Sequence, residues 1–138
     1  MNLSDFPVIT DSDNKFIVID STAYTNLATL LNGTLHHKDS LNVAIDRITF
    51  LLDNWKDREE IAEAKYNGYW DWEVLAENNL STGNYFTLVS DMDIHVFVNA
   101  DNQNVFIDDI LSEQPQFSII EIPMTEFLDV LEQWKRMI

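Results

Sequence analysis

The sequence predicts an α+β domain: a helical N-terminal half, an antiparallel β-meander of about four strands, and a C-terminal helix packed on the sheet. Apolar residues recur every three or four positions from Leu41 to Trp55, the period of an amphipathic helix. Four short runs rich in Val, Ile, Phe and Tyr then lie between Tyr85 and Ile122, separated by turn compositions at hairpin spacing. A second helical stripe follows Pro123. A chain of 138 residues fits one domain spanning 1–138, and no repeat, low-complexity tract or linker divides it.

Residues 1–14, with Pro7, Asp11, Ser12, Asp13 and Asn14, read as an arm and a turn. Phe16-Ile17-Val18-Ile19 is a β-branched run suited to a buried strand. Ser21 or Thr22 can cap a short helix through Leu31, stopped by Asn32-Gly33. The main helix begins at Asp39-Ser40. Leu41, Ile45, Ile48, Leu52 and Trp55 share one face, widened by Phe50 and Leu51. Asp57 and Glu60 have capping-box spacing, so a further helix to about Tyr66 starts there, or the first continues through a polar middle. Asn67-Gly68 ends it. A third short helix is predicted from Asp71 to Asn78.

The period then changes to two. Tyr85 to Ser90, Ile94 to Val98, Val105 to Ile110 and Phe117 to Ile122 form the meander. Ile94, Val96 and Val98 face one way, His95 and Phe97 the other. Pro123 opens the last helix, where a missing N–H costs little. Met124, Phe127, Leu128, Leu131, Trp134 and Ile138 form its apolar stripe. Glu126 near its start and Lys135-Arg136 near its end suit the helix dipole.

Charge narrows the function. The chain carries 24 acidic and 8 basic side chains, net −16. That balance excludes ordinary DNA or RNA binding, which needs a basic face, and attachment to anionic lipid. The apolar content of 46% is too high for a disordered acidic tail. With no cysteine, a disulfide scaffold, a zinc finger and a thiol nucleophile are excluded. The N-terminus has neither a basic nor an apolar region of a secretory leader, and no run is long enough to span a membrane. The expectation is a soluble cytoplasmic protein; the alternative is a mature fragment without its leader.

No Lys or Arg occurs from Tyr66 through Trp134, although that window holds acids such as Asp71, Glu73, Asp91, Asp93, Asp101, Asp108, Asp109 and Glu113. Such carboxylates repel one another, and they project a field that steers a basic partner. Acidity as a solubility device is the plainer explanation; the uninterrupted window tilts the balance toward a partner.

Reaction motifs are missing. Asp91-Met92-Asp93 resembles half of a metal site, but no cation lies near it in sequence to handle phosphate charge, and Asp in a β-turn is the commoner explanation. Asp11-Ser12-Asp13-Asn14 starts like an EF-hand loop, yet Phe16 and Thr22 stand where Gly and Glu are required. His36, His37 and His95 fit no ligand spacing on one helical face, and no GxSxG elbow is present. Gly occurs only at positions 33, 68 and 83, so neither a P-loop nor a dinucleotide loop can be built. No cofactor and no metal are expected. Tyr66, Tyr69, Trp70 and Trp72 cluster around Gly68. They serve as packing at a helix joint, or as aromatic anchors inside the acidic rim of Asp71 and Glu73.

Size, one-signed charge, absent catalytic motifs and the strand–Pro–helix ending from Ile119 through Pro123 to Trp134 together resemble small acidic bacterial immunity proteins of toxin–immunity systems. The resemblance implies a protein that binds a basic toxin domain, often a nuclease, and covers its active site with carboxylates. The partner-binding residues expected are Tyr69, Trp70, Asp71, Trp72, Glu73, Asp91, Asp93, Asp101, Asp108 and Asp109, with no catalytic residue. Two alternatives stand beside it: a small enzyme built on dispersed carboxylates and His95, and a nucleic-acid mimic or structural subunit whose acids are spaced like phosphates.

Overall fold

Two antiparallel sheets and three α-helices are found among the described residues of the computed structural model, which are 1–19, 24–58, 60, 72–74, 84–90, 94–109 and 119–138. The N-terminal segment is more than an arm. A 3-10 turn at Leu3–Asp5 leads into a hairpin of β1 (Val8–Asp11) and β2 (Asn14–Ile17). Val8 pairs with Ile17 and Asp11 with Asn14, leaving Ser12 and Asp13 as a two-residue loop. Both have positive φ, 48° and 69°, which the right-handed twist of a tight hairpin requires. The Asp-Ser-Asp-Asn run is therefore a hairpin tip. The N-terminal half is partly strand, not purely helical. Val8–Asp11 is too short to display a period, so its strand character comes from its pairing with β2 across the two-residue loop.

Helix α1 (Thr25–Asn32) buries Asn26, Leu27, Leu30 and Leu31. It stops at Gly33, whose N–H donates to the Thr29 carbonyl at 3.0 Å. A Cβ at Gly33 would sit 2.9 Å from that oxygen, so glycine is needed for close approach. The expected caps, Ser21 and Thr22, lie outside the described residues. Helix α2 (Lys38–Asp53) buries Leu41, Ala44, Ile48 and Leu51. The predicted stripe was centred one position off: Ile45, Phe50, Leu52 and Trp55 are half-buried flanks. Small Ala44 faces the core. Asn54 closes α2, its backbone N–H and side-chain Nδ2 both donating to the Phe50 carbonyl at 3.1 and 2.9 Å. A 3-10 turn at Trp55–Asp57 follows, so one uninterrupted helix through this region is ruled out. Arg58 and Glu60 are helical again; the rest of that predicted helix is outside the described residues.

The predicted short helix from Asp71 to Asn78 is contradicted in its first half, and its remaining residues lie outside the described ones. Trp72–Val74 is a strand, β3, antiparallel to β4 (Asn84–Ser90). Trp and Val favour a pleated surface, and the neighbouring strand supplies the ladder. The large sheet continues with β5 (Ile94–Asn99), β6 (Asn104–Asp109) and β7 (Ile119–Pro123). Its order is β3-β4-β5-β6-β7, each neighbour antiparallel. This is the predicted meander with one extra edge strand. Helix α3 (Met124–Met137) follows directly and buries Met124, Phe127, Val130, Leu131 and Trp134.

The three helices share one side of the sheet. α2 contacts β4 and α3, and α1 and α3 both contact β6 and β7. Their buried side chains join Ile94, Val96, Val98, Val105, Ile107 and Ile122 in one continuous core, as the alternation along Ile94–Val98 predicts. Trp134 is fully buried, and its Nε1 donates to the Leu35 carbonyl at 3.0 Å.

Candidate functional site

The register of the sheet determines what the cations do. Between Thr87 and Val89 the pairing of β4 with β5 slips by one residue, a β-bulge centred on Leu88. A bulge leaves backbone groups outside the ladder. Arg47, reaching from α2, donates from Nη1 to the Leu88 carbonyl at 2.6 Å. Arg58 does the same at the end of β5: its Nε donates to the Ala100 carbonyl at 2.6 Å and its Nη1 to the Trp55 carbonyl at 3.0 Å. Its guanidinium also lies 4.8 Å from the Trp55 ring centroid, in cation–π range. Two arginines are thus turned inward onto sheet and turn carbonyls.

The carboxylates of the same region are not. Asp39, Asp46 and Asp53 are all exposed on α2, and exposed Asp57 follows one turn later. A seven-residue interval drifts by only about 20° around a helix, so the three aspartates form a line. Successive members are about 10.5 Å apart along the axis. None of these four forms an ion pair among the described residues. The line was readable from the spacing 39, 46, 53, yet the predicted site lay wholly in the second half of the chain, where lysine and arginine are missing. Lys38, Arg47, Lys56 and Arg58 intersperse the aspartates in sequence and conceal the stripe.

Of the residues the sequence proposes, Asp101 is exposed on the turn between β5 and β6. There the Asn99 side-chain oxygen accepts from the backbone N–H of Asp101 at 2.8 Å and of Asn102 at 3.3 Å. Trp72 and Glu73 lie on the edge strand β3, and Asp109 ends β6 opposite Ile94. Asp108 is corrected: it is 1% exposed and presents no carboxylate to the surface. It pairs in register with His95, and the strand alternation turns it to the face away from the helices. Phe97 and Phe106 are buried on that face as well, and His95 stacks on Phe97 at 5.8 Å between ring centroids. Tyr69, Trp70, Asp71, Asp91 and Asp93 lie outside the described residues.

A depression of about 290 Å³ is lined by Asp39, Ser40, Val43, Arg47 and Val89, among others, and a second of about 260 Å³ by Lys15, His36 and Lys38, beside Asp13. Among the described residues no group of three His, Asp or Glu is arranged to hold a metal ion. No helix there is long and apolar enough to cross a membrane. With this geometry in hand, comparison with family models, curated proteins and solved structures returned no match.

Proposed function

We propose that the protein is an acidic protein-binding module, an immunity protein that acts in the cytoplasm by binding a basic toxin domain and covering its active site. One observation carries the reading. The arginines beside the α2 aspartates donate to the Leu88 and Ala100 carbonyls, while Asp39, Asp46, Asp53 and Asp57 stay exposed. Those bonds leave the guanidinium charges in place but hold them against the sheet, whereas the four carboxylates project from exposed positions and outnumber the exposed Lys38 and Lys56 beside them, so this surface keeps a net negative field. Asp101 adds its carboxylate on the turn between β5 and β6; the other binding residues of this reading are Tyr69, Trp70, Asp71, Trp72, Glu73, Asp91, Asp93 and Asp109.

The charge spacing favours a protein partner over mimicry of nucleic acid. Along α2 there is one carboxylate per about 10.5 Å, against one phosphate per about 3.4 Å on each strand of a duplex. The test is association with a basic protein domain encoded beside this gene, measured by calorimetry from low to high salt. The expected result is a complex that weakens steeply with salt. A basic neighbour that fails to bind at low salt would refute the proposal.

A small enzyme is the second reading, favoured by the buried Asp108 in register with half-buried His95. It requires that Asp108→Asn abolish a hydrolytic activity while the fold and the binding of a basic partner persist.

A further inference from the structure

The β1–β2 hairpin has one closed edge and one open edge. Along β2 three of the four outward backbone groups, all but the Lys15 N–H, are met by side chains. Asn32 accepts from the Ile17 N–H at 2.8 Å through Oδ1 and donates to the Ile17 carbonyl at 2.8 Å through Nδ2. The His36 ring Nε2 lies 3.0 Å from the Lys15 carbonyl. In an antiparallel pair, residues directly opposite point their backbone groups the same way, both inward or both outward. Ile17 and Lys15 point outward, so their partners Val8 and Thr10 do too. The Val18 N–H to Pro7 carbonyl bond at 2.9 Å, one position on, has the inward phase and agrees. The N–H and C=O of Val8 and of Thr10 therefore form a row facing away from β2. Among the described residues they have no hydrogen-bond partner.

Exposed sheet edges are normally blunted by lysine, proline, a bulge or a covering element. Within β1 there is no lysine, proline or bulge; the strand is short and its one charge is Asp11, and every residue of it is exposed. Ile9 is 56% and Val8 38% exposed. The flanking charges share one sign: Asp5, Asp11 and Asp13 are all exposed. Lys15 lies across on β2, on the far side from the open edge.

Resting on the reading of this protein as a binder of basic proteins, we propose that the outer edge of β1 is a docking strand, which takes an extended basic segment of that partner by β-sheet addition. Backbone bonds to Val8 and Thr10 supply the register. Ile9 and Asp11 stand two apart and so share a face. The incoming segment accordingly sets an apolar side chain beside Ile9 and a Lys or Arg beside Asp11, two residues apart. A second copy of this chain is disfavoured as occupant, because it would bring another −16 and another Asp11 to the same edge.

The experiment is amide exchange by NMR on the full chain, titrated with a blocked synthetic peptide that carries Val and Lys two residues apart with Thr between and around them, so that both fall on one face. Exchange at Val8 and Thr10 is expected to slow about tenfold, with Ile9 and Asp11, already bonded to β2, unchanged. A peptide N-methylated at alternate residues should lose the effect, as should Thr10→Pro. That substitution removes only an outward N–H at an edge position that tolerates proline, and the methylated peptide gives the same test without altering the protein. Unchanged peptide binding by Thr10→Pro, or a response confined to the α2 aspartates, overturns the docking strand and leaves the acidic-module reading standing. Slowed exchange at Val8 and Thr10 on concentrating the protein alone overturns it in favour of self-pairing. No response anywhere, to the peptide or to a basic protein domain, overturns both.

Discussion

The Trp134 indole N–H donates to the Leu35 carbonyl across 99 positions of sequence, at 3.0 Å and fully out of solvent. It fastens α3 to the turn that launches α2, at the point where the two helices and α1 share their core. Trp134→Phe keeps most of the apolar area but orphans a buried carbonyl, so a loss of about 1–3 kcal/mol is expected. Trp134→Ala adds a cavity and should cost about 3–5 kcal/mol. Urea denaturation of the two variants checks both values, and equal losses would contradict the hydrogen bond's separate role.

Asn32 stands in for a neighbouring strand by bonding both backbone groups of Ile17. Asn32→Leu keeps the volume and removes both bonds. The expected cost is about 1–3 kcal/mol, accompanied by faster amide exchange at Ile17. Unchanged exchange there would show that the edge is protected by something else.

Gly33→Ala should destabilise, because the new methyl would meet the Thr29 carbonyl at 2.9 Å at the point where α1 ends. A loss of about 1–3 kcal/mol is expected from the backbone shift required. A thermal midpoint equal to that of the parent protein would contradict it.

Arg47→Met separates structure from charge. The bulge carbonyl of Leu88 loses its donor, and stability should fall by about 1–3 kcal/mol. Association with a basic partner should be at least as fast, because a cation has been removed beside the α2 aspartates. Slower association would place Arg47 at the interface.

The triple variant Asp39→Asn, Asp46→Asn, Asp53→Asn has the opposite signature. These carboxylates are exposed, so the fold should be unaffected. Association with a basic domain should slow about tenfold at low salt, with a shallower dependence on ionic strength. An unchanged rate constant measured by stopped flow would exclude this helix from the binding surface.

Much of the fold was legible in local pattern. Alternation along Ile94–Val98 marked the core side of the sheet, and Pro123 followed by a 3.6-residue stripe marked α3, because both signals repeat within one element and need no neighbour. The excess of acid over base was equally legible, since net charge is a sum over residues that folding does not alter. The strand at Trp72–Val74 was not, because three residues show no period and take their conformation from pairing with β4. Nor was the burial of Asp108, which depends on what covers the outer face of the sheet rather than on its own neighbours in sequence.

The role of the arginines has the same origin. Arg47 and Arg58 read as surface cations among aspartates, and composition counts them as neutralising. Their partners are Leu88 and Ala100, carbonyls exposed by a register slip and by a strand end more than forty positions away. Which carbonyls a sheet leaves unpaired is a property of its register, and that register exists only once the strands have met. The sign of the charge is thus a matter of composition, whereas which carbonyls hold the arginines against the sheet, leaving the carboxylates to project, is a matter of how β4 and β5 align.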